Sequence, residues 1–222
     1  MVTDPIVAAA MQDLMRACKQ EGASWALIGG QALIAHGIPR MTEDADGLVD
    51  ASRLGDVAQT LVEIFGWTPL LYDERSRDYE DAKEVVTHFM DDPVLFDVGQ
   101  ERSMIPLRST MGLLVELLAA QHPVEIDMID EAEILLHHGA KIPIAPLGGV
   151  LLVKAKADRG KDTSAIEQAA EHLKADELRG ALAWAEDRDP ATTEDLRAIM
   201  NATRIRRSPK RTSVYAHKPR SR

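Results

Sequence analysis

The chain has 222 residues, 45% apolar and 28% charged, enough to bury the core of one compact domain or of a catalytic part plus a helical part. Its one cysteine, Cys18, excludes an internal disulfide and a thiolate metal cluster. The start MVTDPIVAAAMQDL lacks the basic opening and cleavage site of a signal peptide, and no apolar run is long enough to cross a bilayer. A cytoplasmic, reduced protein with no membrane partner is expected. The net charge of −10 is uneven: residues 202–222 hold eight Lys and Arg and no acid, leaving 18 basic against 36 acidic residues, or −18, for the rest. Residues 204–222 therefore read as a basic, disordered tail, either a solubilising end or a nucleic-acid contact.

Taken in order, residues 4–21 read as a helix. Pro5 suits the first turn, Val7, Met11, Leu14 and Cys18 share a face, and Gly22 ends it. The apolar run Trp25-Ala26-Leu27-Ile28 predicts a buried strand that stops at Gly29-Gly30, and residues 31–37 predict a short amphipathic helix. A second strand opens on Asp44-Ala45-Asp46. Ser52 caps a helix whose apolar face is Leu54, Val57, Leu61 and Ile64, closed by Gly66. Residues 67–72 predict a strand, 84–90 and 94–98 two more, 109–120 a well-buried helix, and 124–129 an alternating strand. From residue 147 the pattern is helical, over 147–158, 163–174, 176–187 and 193–203. The fold class is α/β with mixed strands.

On a strand, residues i and i+2 share a face, so Asp44 and Asp46 project side by side. Two carboxylates that close repel unless a cation lies between them, and oxygen-only ligands suit Mg²⁺, with Mn²⁺ as the alternative. Gly29 and Gly30, without Cβ atoms, let phosphate oxygens approach the backbone N–H groups. Together these parts predict a cradle for a Mg²⁺–nucleoside triphosphate; separately, they are a turn and a solvated strand end. A third carboxylate suits two-metal phosphoryl transfer, and either Asp127 on 124–129 or Asp97 on 94–98 offers one. In 151–162 a helix puts Lys154 and Asp158 four apart on one face, with Lys161 one turn on. Arg40 and Thr42 either contact phosphate or brace the loop before the acids. No histidine has a partner at zinc-ligand spacing, and 4% aromatics leave no stacking platform for single-stranded nucleic acid.

The order Gly-Gly, short helix, Asp-x-Asp resembles the nucleotidyltransferase fold of the DNA polymerase beta superfamily. Arg40-x-Thr42-x-Asp44-x-Asp46 and the segment Lys154, Ala157, Arg159, Lys161, Asp162 resemble its small bacterial branch, the abortive-infection, toxin–antitoxin and antibiotic nucleotidyltransferases. The resemblance implies a nucleotidyltransferase-like mixed sheet with flanking helices over residues 1–145, and a helical region, 146–203, that closes the nucleotide site. It implies transfer of a nucleoside monophosphate from a triphosphate such as ATP to an acceptor hydroxyl or phosphate, with release of pyrophosphate. Asp44, Asp46 and Asp127 are then the catalytic metal ligands. Asp127 is preferred to Asp97 because in such families the third acid lies on a strand before a lysine-bearing helix. Gly29, Gly30, Arg40, Thr42, Lys154, Arg159 and Lys161 are the implied nucleotide contacts. The acceptor is a tRNA, a protein or a small molecule, and a cognate antitoxin is an implied partner. Two alternatives remain open: a non-catalytic nucleotide- or RNA-binding member of a toxin–antitoxin pair, and a γ-phosphoryl transferase on the same fold.

Overall fold

The computed structural model describes residues 4–73, 78–81, 104–157 and 160–207. Helix α1 (Pro5–Glu21) begins where the Asp4 carboxylate accepts the amide protons of Ile6 (2.9 Å) and Val7 (3.4 Å), and it ends at Gly22 in the left-handed region, φ +64°. Pro5 in the first turn and Gly22 at the end are the start and stop expected, and the Asp4 cap adds to them. Strand β1 (Trp25–Ile28), helix α2 (Gly29–Ala35), strand β2 (Asp44–Asp50) and helix α3 (Leu54–Glu63) follow as expected; Ser52, expected to cap α3, instead lies in a 3-10 turn (Ala51–Arg53) and donates to Asp50 Oδ1.

Strands β3 (Thr68–Asp73), β4 (Asp78–Asp81), β5 (Met104–Arg108) and β6 (Leu114–Ala120) come next. Helix α4 (Pro123–Asp130), strands β7 (Glu133–His137) and β8 (Ala140–Ile144), and helices α5 (Leu147–Ala157), α6 (Gly160–His172), α7 (Ala175–Arg188) and α8 (Pro190–Arg207) complete the described chain. The eight strands form one mixed sheet in the order β4-β3-β5-β6-β2-β1-β8-β7. The pairs β2–β6 and β1–β8 are parallel and the remainder antiparallel. No described helix is long and apolar enough to cross a membrane.

Leu14 of α1 and Leu117 of β6 close over Gly47, so α1 covers the face of β2 to which Ala45, Gly47 and Val49 point. By the two-residue period, Asp44, Asp46 and Leu48 face the other way. The core is continuous from α1 through the sheet to the C-terminal helices, and includes fully buried Met11, Leu27, Leu33, Leu61, Met128 and Ile142. In α5, a Cβ on Gly148 would lie 2.8 Å from Trp184 Cβ, so the glycine is what lets α7 pack this near.

Two elements differ from the sequence expectation. Residues 109–120, expected to be helical, contain β6, a strand paired on both edges. Leu114-Val115-Glu116-Leu117-Leu118 is a short apolar run, and such a run in the middle of a sheet has the same composition as a buried helix segment. Residues 124–129, expected as a strand, form α4. Pro123 occupies its first turn, and Glu125 Oε2 accepts the amide protons of Gln121 (3.0 Å) and His122 (3.2 Å), which outweighs the alternating pattern. Of the tail expected over 204–222, Arg204 to Arg207 belong to α8 and residues 208–222 lie outside the described residues. The expected strands 84–90 and 94–98 lie outside the described residues.

Candidate active site

Strand β1 ends at Gly29, whose φ of +66° lies in the left-handed region. A Cβ there would lie 1.7 Å from Asp46 Oδ2, so only a glycine lets the backbone rest against this carboxylate. The register agrees, since Ile28 pairs with Asp46 across β1 and β2. At Gly30 a Cβ would lie 2.7 Å from Thr42 Oγ1, and that hydroxyl donates to Asp44 Oδ1 at 2.5 Å. Thr42 thus braces the segment before the Asp-x-Asp strand. Arg40 Nε is buried with no hydrogen-bond partner among the described residues.

The parallel register of β2 and β6 sets Asp46 beside Glu116 and Asp44 beside Leu114. Asp46 and Glu116 are joined by a side-chain hydrogen bond, and the Asp46 carboxyl is pushed up from 3.8 to about 7. Burial is the main cause, the negative charges of Glu116 and then Asp44 add to it, and the Lys154 ammonium opposes it. Lys154, near the end of α5, is held by Asp162 at 3.0 Å, with only 11% and 1% of the two side chains exposed. Three acids and one lysine therefore meet over the glycine turn.

Asp127, the expected third acid, is placed elsewhere. It lies on α4, its Oδ2 accepts from Arg188 Nε at 2.9 Å, and it is not among the charges that act on Asp46. Arg188 also binds Glu131 and the Trp184 carbonyl, and its guanidinium sits 4.0 Å over the Trp184 ring. This node ties α4 to α7. Glu116 was missed because residues 109–120 read as a helix; the available signal was a single acid inside an apolar run that follows the Gly112 turn. Asp97, Asp158 and Arg159 lie outside the described residues, and Lys161 is exposed at the start of α6. Gln31, directly after the glycines, is buried and bonds His137 Nε2 at 2.9 Å.

Among the described residues no group of three or more His, Cys, Asp or Glu side chains is placed to hold a metal ion. Asp44 and Asp46 are two oxygen donors of the hard kind that a divalent cation such as Mg²⁺ takes. Mg²⁺ takes one or two carboxylates and leaves its other positions to water and substrate phosphate, and the Asp46 pKa is raised first by burial and then by the charges of Glu116 and Asp44.

No family model matches the chain, and no curated protein matches it. Among solved structures it is similar to the antibiotic-resistance factor ANT(2'')-Ia, at 13% identity over 91% of this chain and 94% of that one, with a TM-score of 0.47. It is similar to an antigenic nucleotidyltransferase-like protein of Paracoccidioides brasiliensis, at 17% identity over 89% and 94% of the two chains, TM-score 0.44. It is also similar to the CCA-adding enzyme of Thermotoga maritima, solved with a tRNA, at 12% identity over 89% of this chain and 52% of that one, TM-score 0.40. With TM-scores of 0.47, 0.44 and 0.40, these are distant likenesses of fold.

Proposed function

We propose that the protein is a divalent-cation-dependent nucleotidyltransferase, which moves a nucleoside monophosphate from a triphosphate to an acceptor oxygen and releases pyrophosphate. The observation that carries this reading is the Asp46–Glu116 pair, set side by side by the parallel β2–β6 register, under Gly29 and within the field of Lys154.

Asp44 and Asp46 would hold Mg²⁺, or Mn²⁺, and Glu116 takes the part of the third acid that the sequence assigned to Asp127. When bound, the cation neutralises triphosphate charge and lowers the pKa of an oxygen bound to it. The Gly29–Gly30 backbone lets phosphate oxygens approach. The Arg40 guanidinium, with a buried N–H that has no partner among the described residues, supplies a donor to them. Lys154, fixed by Asp162, places a positive charge where negative charge accumulates as pyrophosphate departs. Glu116, bonded to Asp46, is the group that accepts the acceptor's proton as its oxygen attacks the α-phosphorus in line with the leaving group. The part up to residue 145 supplies this centre, and the following helices bring Lys154 to it.

The toxin-type reading, in which the acceptor would be a tRNA, rests on the spelling of the Lys154–Asp162 segment. The experiment is transfer from each α-labelled nucleoside triphosphate, with Mg²⁺, to tRNA, to cell extract and to aminoglycosides in turn. Label moving to one acceptor class in the wild type and lost in Glu116→Gln is the expected result. Movement of γ-label alone, or wild-type transfer by Glu116→Gln, overturns the assignment.

A further inference from the structure

Helix α2 has seven residues and is fastened at both ends to one hairpin. At its start the Gln31 carboxamide oxygen accepts a hydrogen bond from His137 Nε2 at 2.9 Å, and both side chains are buried, at 3% and 1% exposure. At its end His36 Nε2 donates to the Ala145 carbonyl at 2.8 Å. His137 closes β7 and Ala145 directly follows β8, so the β7–β8 hairpin grips α2 from the side away from β2. The opposite side is fixed by contact, because Gly29 rests on the Asp46 carboxylate and Gly30 on Thr42. With the Gln31 carboxamide oxygen accepting, His137 carries a proton on Nε2, and burial, with the nearby His138 adding to it, lowers its pKa to about 4 and keeps the ring neutral. In turn the His138 ring packs edge-on to His137 at 4.2 Å, and its Nδ1 accepts the Asp4 amide proton at 2.9 Å, which fixes the hairpin tip to the start of α1.

We infer that His137 is a positioning residue: acting through Gln31, it holds the Gly29–Gly30 turn at its distance from Asp46 and Thr42, and so sets the seat of the triphosphate. The inference rests on the nucleotidyltransferase reading for its consequence, though not for its geometry. Removing the donor leaves a buried acceptor without a partner and frees the first turn of α2 to shift.

The test pairs His137→Ala and Gln31→Met with the conservative His137→Gln, whose amide N–H can replace the imidazole donor. Two readouts are taken on the full chain: the backbone amide resonances of Gly29 and Gly30, and binding and turnover of Mg²⁺ with each of the four nucleoside triphosphates. The first two variants are expected to move both glycine resonances and to weaken triphosphate binding and raise KM by about tenfold, with kcat changed less than about threefold. His137→Gln is expected to restore both. Unmoved resonances and unchanged affinity in folded His137→Ala and Gln31→Met overturn the inference, as does failure of His137→Gln to restore binding. Should His137→Ala not fold, Gln31→Met against His137→Gln decides. A wild type that binds no triphosphate removes the functional reading, while the glycine resonances still decide the positioning.

Discussion

Two groups of acids lie in this protein with opposite electrostatic fates. Around Arg188, Asp127 and Glu131 are matched by a guanidinium that also rests on Trp184, and every charge there has an opposite close by. Around Asp46, carboxylates meet carboxylates: Glu116 and Asp44 push against it, and among the described residues Lys154, shared with Asp162, offsets them. The first arrangement locks helices together. The second stores repulsion that a cation or a proton must relieve, which is what a reacting centre needs and a scaffold does not. An acid's role in this chain follows from what faces it.

The sharpest way to break that comparison is to neutralise one acid from each group. Asp46→Asn is expected to lower kcat for transfer by at least about 10³-fold, the order lost with a metal-holding or proton-transferring group. Asp127→Asn is expected to keep activity within about threefold; a loss in Asp127→Asn as large as that in Asp46→Asn would return Asp127 to the centre. Next in size, Lys154→Met should lower kcat about 10²-fold, as for loss of one preorganised charge on the leaving group. Unchanged turnover in that variant would limit Lys154 to its bond with Asp162.

Smaller effects concern stability. Arg188→Ala is expected to lower unfolding free energy by about 2 kcal/mol, since it leaves two half-exposed carboxylates and an uncovered Trp184 face. Denaturant melts with an unaltered midpoint would remove the node from the account of helix packing. The last prediction is a pH profile. A carboxyl raised from 3.8 to about 7 binds its proton more tightly folded than unfolded, so its stabilising contribution is whole below the unfolded value and is lost as pH climbs to the folded one. The melting temperature of the metal-free wild type should therefore fall between about pH 4 and pH 7 through this group, and Asp46→Asn should flatten the fall. With Mg²⁺ present, the stabilisation added by the ion should grow as pH rises through that window, because the ion competes with the proton. Parallel profiles for wild type and Asp46→Asn would contradict the crowding of these acids.

Much was legible in the sequence because it is written locally. Pro5 and Gly22 punctuate α1, and the two-residue period puts Asp44 and Asp46 on one face whatever surrounds them. The C-terminal helices follow their apolar spacing and occur where expected. Glycine at 29 and 30 signalled a close approach before the thing approached was known.

Tertiary structure decided the remainder, and above all the partner of Asp46. Residues 114–120 are apolar enough for a buried helix or a central strand, and only pairing with β2 and β5 selects the strand. Asp127 sits in an alternating stretch that a proline and a capping glutamate turn into a helix, which then meets an arginine from α7. Sequence spacing determined which side chains share a face of one element. Which faces come together depends on the register of strands and helices distant in the chain, and no local pattern encodes it.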